Sequence, residues 1–202
     1  FTSPAFVARV NYHGVKGLRV GASFYYNQTA KNGTKPWRNT GYKFPVTIVT
    51  GDLQYKGFNN NLIVRGNAVY GNLGASGALT TINNSSSAAS GYPNTTVAQN
   101  AVSYGGEAGY NIGSFFNSKA PRIYPFIRYE YYNPMEKTEA NTGLLADKRF
   151  QVSAVTAGLN YYALPNLVIK ADYTHRSIGG GKYNDENLVS VGIAYIGWFI
   201  KK

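Results

Sequence analysis

Apolar and polar side chains alternate with a period of two along most of this chain, and that alternation restricts the fold more than any other feature. It recurs in about nine segments of roughly 8 to 14 residues, with no sustained helical period of apolar residues. Because successive side chains of a strand point to opposite faces, we predict an all-β chain. The predicted strands are residues 5–13, 18–27, 45–56, 61–72, 101–112, 122–133, 149–163, 166–177 and 187–200.

The two faces of each predicted strand differ in chemistry in the same way. A soluble β-sandwich also buries one face of a strand and exposes the other to water. The alternation by itself therefore leaves both a sandwich and a membrane barrel open. In residues 166–177 one face carries Leu167, Ile169, Ala171 and Tyr173, and the other carries Lys170, Asp172, Thr174 and Arg176.

The links between the predicted strands favour the barrel. Short links follow Tyr12, Tyr55 and Tyr161, and a somewhat longer one covers residues 113–121. Long polar links cover residues 28–44, 73–100, 134–148 and 178–186, so short and long links are expected to alternate strictly. Membrane barrels with short turns on one side and long loops on the other have this order. The Asn- and Ser-rich composition of residues 75–100 predicts a mobile outer loop.

No apolar run approaches the roughly 18 to 20 residues that a membrane-spanning helix needs. A chain that spans a membrane without such a run must be a closed barrel, because every backbone amide in lipid needs an internal partner. We therefore predict one domain over residues 1–202, an antiparallel up-and-down β-barrel in a bacterial outer membrane. The chain has 0 Cys, which excludes a disulfide framework, a thiolate metal site and a cysteine nucleophile.

Aromatic residues on the apolar face are predicted to form two girdles at the lipid–water boundaries, because Tyr combines an apolar ring with a polar hydroxyl. The chain has 18 Tyr, and many lie near predicted strand ends. The short-turn side has Tyr12, Tyr55, Tyr110 and Tyr161, the long-loop side has Tyr26, Tyr70, Tyr129, Tyr131 and Tyr173, and the last strand adds Tyr195 and Phe199.

The parity of the strands predicts that the barrel continues beyond this sequence. If the last strand ends on the periplasmic side, residues 5–13 begin on the outside and the strand count is odd. Single-chain bacterial barrels have an even count with both termini in the periplasm. We therefore expect residues before Phe1 and a larger barrel of about 16 to 18 strands, of which this is the C-terminal part. The alternative is that residues 1–13 do not span, which leaves an eight-stranded barrel.

Charged residues on the polar faces are predicted to line a pore. The net charge of +11 is spread over the strands, which argues against binding to nucleic acid. An excess of cations in a lumen predicts a weak preference for anions. The alternative is that these charges only pair across strands, as Lys170 and Asp172 would. The predicted lining residues are Arg9, Arg19, Asp52, Lys56, Arg65, Glu107, Arg128, Glu130, Lys170, Asp172 and Arg176.

His175 and Ser177 are the one catalytic-looking pair, since a histidine could activate a serine two residues away on the same face. The spacing resembles the His-x-Ser pair of an outer-membrane lipid A deacylase family. The sequence shows no third group to orient the histidine, so a strand cap at the headgroup level is the preferred interpretation. His13 has no metal-ligand partners at useful spacing. We predict no metal, no cofactor and no enzymatic activity.

Three stretches, residues 17–26, 51–56 and 187–199, resemble bacterial general and phosphate-selective porins, and their Tyr- and Asn-rich style resembles porins of the Bacteroidota. The resemblance implies a pore for small hydrophilic solutes or anions, often trimeric, in contact with outer-membrane lipid and lipopolysaccharide. It also implies that the barrel-assembly machinery recognises the last strand. The predicted function is passive diffusion with weak anion preference. An eight-stranded anchor or adhesion platform and a His/Ser lipid hydrolase are the alternatives.

Overall fold

The computed structural model describes residues 3–28, 43–85, 96–116, 120–140 and 142–195, without the side chains of residues 83–85. Within them the chain forms one nine-stranded antiparallel sheet whose strands follow sequence order, which confirms the predicted all-β, up-and-down arrangement. The elements are β1 (Phe6–Tyr12), β2 (Leu18–Gln28), β3 (Pro45–Gly57), β4 (Leu62–Leu73), α1 (Ser76–Ser85), β5 (Asn100–Tyr110), β6 (Arg122–Lys137), β7 (Val152–Leu164), β8 (Leu167–Ile178) and β9 (Asp185–Tyr195).

The sheet is open between β1 and β9 among the described residues, since β1 pairs with β2 and β9 pairs with β8. Each predicted strand segment corresponds to one strand, and β1 is a full member of the sheet, paired from Phe6 to Tyr12. None of the described helical residues belongs to a helix with the length and apolarity to cross a membrane.

The turns of the short links use left-handed backbone conformations, which suit glycine and asparagine but are unfavourable for Phe58. Gly17 has a φ of 81°, and the turn between β3 and β4 has positive φ at Phe58, Asn59 and Asn60. The strand bounds keep the predicted order of shorter and longer links, but the link of the last hairpin is shorter than predicted. The β8–β9 link covers only residues 179–184, whereas the β5–β6 link covers residues 111–121. β8 and β9 extend further than predicted because the Ile178 N–H donates to the Asn184 carbonyl and closes the hairpin.

The long β4–β5 link contains a helix over residues 76–85 that the sequence analysis did not predict. The Gly77 N–H, in the first turn of α1, donates to Glu139 Oε2 at 2.5 Å. Thr80 Oγ1 accepts a hydrogen bond of 2.9 Å from the Val97 N–H. The first N–H groups of a helix have no partner within the helix and need an acceptor from elsewhere. For Gly77 that acceptor is the carboxylate of Glu139, which belongs to the β6–β7 link. Contacts distant in sequence therefore stabilise α1.

The start of β7 also differs from the prediction, because residues 148–150 form a short 3₁₀ turn before the strand begins at Val152. The Asp147 carboxylate accepts hydrogen bonds from the side chain and the backbone N–H of Arg149. These bonds hold the pKa of the Asp147 carboxyl below its ordinary value, so the carboxylate stays charged and caps the turn.

The described residues contain no second layer that covers the apolar face of the sheet. Buried apolar residues are few, namely Phe44, Tyr124, Met135 and Val152. In contrast, Val49 and Ile127, both in interior strands, are 45% and 58% exposed. A sandwich would bury such residues between two sheets. None of the described residues therefore covers the apolar face.

Substitution of Glu139 tests the contact that holds α1. In Glu139→Ala the first-turn N–H groups lose their acceptor, and we expect hydrogen exchange at Gly77 to become about fivefold faster, equivalent to about 1 kcal/mol. Glu139→Gln keeps an acceptor oxygen and serves as the control, with most of the protection retained. Equal exchange in the wild type and in Glu139→Ala would show that this contact does not stabilise α1.

Candidate functional site

The candidate site is the polar face of the sheet, because the register brings all the predicted lining residues to that face. Arg65 lies directly opposite Glu107, and Glu107 lies directly opposite Arg128. Arg176 lies opposite Glu186. The same parity in the other strands places Arg9, Arg19, Asp52, Lys56, Glu130, Lys170 and Asp172 on this face.

Arg9 and Asp52 form an ion pair that skips a strand. Gly21 of β2 lies between them, and its lack of a side chain leaves room for the Arg9 guanidinium to cross. The Arg9 Nη2 donates to Asp52 Oδ2 at 2.7 Å, and Arg19 lies 3.5 Å from the other carboxylate oxygen. Arg9 also donates to Ser23 Oγ at 2.9 Å. This cluster therefore links β1, β2 and β3 across the polar face.

A second cluster crosses β4, β5 and β6 and is centred on Glu107. Arg65 Nη1 donates to Glu107 Oε1 at 2.8 Å, and Arg128 donates to Oε2 through Nε and Nη2 at 3.0 and 2.9 Å. The Glu107 side chain is 18% exposed, while Glu130 is 3.8 Å from Arg128 and more open. Glu107 therefore holds two guanidiniums from the neighbouring strands, and Glu130 balances the second positive charge of this cluster.

A third ion pair joins β8 and β9, with 2.7 Å between Arg176 Nη1 and Glu186 Oε2. Arg176 Nη2 also donates to the Tyr132 hydroxyl at 3.1 Å. The sequence analysis missed Glu186 because it began the last strand at residue 187. The signal that could have found Glu186 is the hairpin register, which sets residues 176 and 186 opposite each other.

Pairing does not neutralise this face. The predicted pair of Lys170 and Asp172 is not formed, and Lys56, Lys170 and Asp172 have no ion pair among the described residues. Pairs as exposed as these contribute roughly 0 to 1 kcal/mol each to stability. The charged residues of this face therefore matter more for the local electrostatic field than for the stability of the fold. Its cations are Arg9, Arg19, Lys56, Arg65, Arg128, Lys170 and Arg176, and its acids are Asp52, Glu107, Glu130, Asp172 and Glu186.

A depression of about 440 Å³ lies between the first two clusters, open to solvent. Gly105 lies on the polar face between Asn67 and Glu130, so no side chain from this position fills the depression. A hydrated ion or a small polar solute in the depression would contact the charged groups around it. Its charged lining residues are Arg19, Asp52, Arg65, Glu107, Arg128 and Glu130.

The predicted girdle tyrosines lie on the opposite, apolar face, while Phe199 is outside the described residues. Tyr129 is in the middle of β6 and not at its end, because β6 continues to Lys137. The sequence analysis missed Tyr104, whose ring stacks on Tyr131 with centroids 4.9 Å apart. The other predicted girdle tyrosines on this face are Tyr12, Tyr26, Tyr55, Tyr70, Tyr110, Tyr161, Tyr173 and Tyr195.

His175 and Ser177 also lie on the apolar face, near the end of β8. Ser177 Oγ is 3.3 Å from His175 Nε2, and His175 Nδ1 is 3.0 Å from Asn187 Oδ1. The sequence analysis missed Asn187, which reaches His175 from the neighbouring strand. His13 lies in the short β1–β2 link, and the described residues contain no group of His, Cys, Asp and Glu that could hold a metal ion.

No protein-family model matches the chain, and no curated protein matches it either. Function is therefore inferred from the two faces of the sheet.

Substitution of Gly21 tests the crossing of Arg9 over β2. A Cβ at position 21 would lie 2.3 Å from Arg9 Nη2 and 2.6 Å from Asp52 Oδ2, so Gly21→Val separates the pair while valine still suits a strand. We expect the Arg9–Asp52 coupling energy, about 0.5 to 1 kcal/mol in a double-mutant cycle of urea unfolding in detergent, to vanish.

Gly51→Val is the matched control for that cycle. Gly51 precedes Asp52 in β3, and no atom lies within 4 Å of a Cβ placed there. The coupling should therefore persist in this variant. Persistence in Gly21→Val as well would contradict the proposed crossing.

Proposed function

We propose that this chain forms part of the wall of an outer-membrane porin that passes small hydrophilic solutes with a weak preference for anions. The observation that carries the proposal is the separation of chemistry between the faces of one sheet. One face is apolar, rich in tyrosine and uncovered, and the other is lined by charged residues with an excess of cations.

The uncovered apolar face supports a lipid environment. Val189, Val191 and Ile193 are 73 to 75% exposed, and residues in the middle of the sheet are exposed as well. Leaving apolar surface in water costs roughly 25 cal/mol per Å², and soluble monomers rarely present apolar patches beyond a few hundred Å². Acyl chains would cover this face without a second protein layer.

Strand length and the polar face support a barrel with an aqueous lumen. β2, β3 and β4 have 11, 13 and 12 residues, enough for a tilted strand that needs about 9 to 11 to cross a bilayer. Charged side chains on the inner face remain hydrated when the barrel has about 16 to 18 strands, whereas about eight strands leave an interior filled with side chains. The hydrated clusters therefore favour the wider barrel over the eight-stranded anchor.

The anion preference follows from the charge on the polar face. The cations on this face outnumber its acids, and Lys56 and Lys170 form no ion pair among the described residues. In a pore with low-dielectric walls, the field of such charges raises the local concentration of anions. Because the charges are largely exposed and salt screens them, the preference is weak.

The proposal includes the surroundings that such a porin has. The apolar face contacts outer-membrane lipid and lipopolysaccharide, and the last strand is recognised by the barrel-assembly machinery. A homotrimer, or association with another outer-membrane protein, would bring similar barrels side by side. Nucleic acid is not expected as a partner, because the cations face a lumen.

Conductance in planar bilayers tests the proposed pore. The protein purified from outer membranes should form stable channels whose reversal potential in a salt gradient indicates anion preference. Lys56→Glu combined with Lys170→Glu should shift the reversal potential toward cations, because both lysines lie on the polar face without an ion pair to disrupt. Lys182→Glu, in the β8–β9 link, is the matched control and should leave the potential almost unchanged.

Absence of stable channels would overturn the pore and favour an anchor or adhesion platform. Cation preference in the wild-type protein would overturn the role assigned to the polar face, even if channels form.

A further inference from the structure

We propose that the polar face carries a binding site for a zwitterionic amino acid with an aromatic side chain, formed by Phe126, Lys170 and Asp172. An aromatic ring on an otherwise charged face adjoins a lysine and an aspartate that form no ion pair in the described part of the chain, and this juxtaposition carries the inference. The site goes beyond passive diffusion because it selects a class of solute. Passage of that solute through a pore rests on the proposed function, whereas binding to the face does not.

Strand register brings the ring and the two charges together. Phe126 of β6 is the direct partner of Gly158 of β7, and Gly158 is the direct partner of Asp172 of β8. Lys170 is two residues from Asp172, and Phe126 is two residues from Arg128, so all of them share the polar face. The ring and both charges therefore lie on one side of the sheet within three neighbouring strands.

Gly158 leaves room for the Phe126 ring over β7. A Cβ placed on Gly158 would lie 2.6 Å from Cε1 and Cζ of the ring and 2.7 Å from Cβ of Asp172. The ring therefore takes the space where another residue would have a side chain, and it adjoins Asp172. Phe126 is half-buried, so the sheet supports the ring while part of it stays open to a solute. Such a surface attracts another aromatic ring through offset stacking or edge contact.

Lys170 and Asp172 lack the cross-strand partners that the arginines of this face have. Neither residue has an ion pair among the residues that the structure describes, and Lys170 is exposed while Asp172 is half-buried. Their Cα atoms are roughly 6.6 Å apart along an extended strand, so a ligand with two opposite charges fits between their side chains. The ammonium group of an amino acid would bind Asp172, and its carboxylate would bind Lys170.

The neighbouring arginine is already engaged, which narrows the class of ligand. Cζ of Arg128 lies 5.7 Å from the centroid of the Phe126 ring, but its Nε and Nη2 donate to Glu107. A bound carboxylate therefore takes Lys170 as its partner. A purely anionic solute would leave Asp172 without a partner beside it, and a purely cationic solute would leave Lys170 without one. The two charges therefore favour a zwitterion over either ion.

More aromatic side chains lie beside Phe126 toward the short-link end of the face. Tyr124 and Tyr162 pack edge to face with ring centroids 5.8 Å apart, and the Arg122 guanidinium lies 4.5 Å from the Tyr162 centroid. Together with Phe126, the two tyrosines border a small depression of about 60 Å³. These rings offer an apolar surface to the aromatic side chain of the ligand, while its charged end binds at β8.

Fluorine NMR of para-fluoro-L-phenylalanine tests binding to the purified protein in detergent. A solute of about 12 non-hydrogen atoms binds with a Kd on the order of 1 mM at ordinary ligand efficiency, so the fluorine line should broaden with saturation near that concentration. L-phenylalanine should reverse the broadening. Hydrocinnamate lacks the ammonium group, phenethylamine lacks the carboxylate and glycine lacks the ring, so each should compete at least about fivefold less well. Equal competition by any of these three, or no broadening at all, would overturn the proposal.

Substitutions on the polar face test the location of the site. Lys170→Gln and Asp172→Asn should each raise the Kd about fivefold, and so should Phe126→Leu, which keeps an apolar side chain without an aromatic ring. Lys56→Gln is the matched control, because it removes a lysine without an ion pair among the described residues from the same face in β3. An unchanged Kd in any of the first three variants, or an equal loss in Lys56→Gln, would overturn the site.

Gly158→Ala tests the position of the ring without changing a residue that contacts the ligand. The added Cβ would lie 2.6 Å from two ring atoms, so the ring must move and the Kd should rise about fivefold. Gly51→Ala is the matched control, since no atom lies within 4 Å of a Cβ placed there. An unchanged Kd in Gly158→Ala would remove the ring from the site and overturn the proposal.

Channel recordings separate the binding site from the pore. L-phenylalanine should reduce the current through wild-type channels in planar bilayers, and Asp172→Asn should weaken this block. Binding in detergent without stable channels would defeat the porin alone. Stable channels without binding would defeat the amino-acid site alone.

Discussion

The structure depends on the register of its antiparallel strands, because the register decides which side chains share a face. Each strand pairs with the next over most of its length, and the register shifts only near Asn100 and near Tyr162. A slip of one residue in any pair would turn every side chain of a strand to the other face. Arg65 or Lys170 would then stand among the valines and tyrosines, and apolar residues would enter the charged clusters. The two faces exist because the described strands keep this register along their length, and the one-residue shift in β7–β8 falls at the turn end of that hairpin.

The same pairing decides which polar groups meet. Glu107 lies between Arg65 and Arg128 because each of the three is the direct cross-strand partner of the next. Asn187 reaches His175 for the same reason on the other face. Arg9 and Asp52 are on strands that are not neighbours, and Gly21 on the strand between them leaves room for the long arginine side chain to reach the carboxylate. The polar contacts of both faces are thus consequences of backbone hydrogen bonding.

The two faces of the sheet have different physical surroundings. Charges on the polar face act through water, where exposure keeps their pairs weak and leaves a net field for passing ions. His175, Ser177 and Asn187 lie on the other face, where their hydrogen bonds are exposed and join polar residues near the end of β8. Residues on each face can therefore be changed with little direct effect on the other.

The sequence alone determined the strands and their faces, because a period of two is a local property that each segment carries itself. It placed the charged residues and most tyrosines on the correct faces for that reason. Tertiary structure decided what depends on contacts distant in sequence: α1, whose first turn is capped by Glu139, the 3₁₀ turn before β7, and the reach of β9 back to Asp185. It also decided that Asn187 faces His175, since composition and spacing do not specify the register of a hairpin whose link can vary in length.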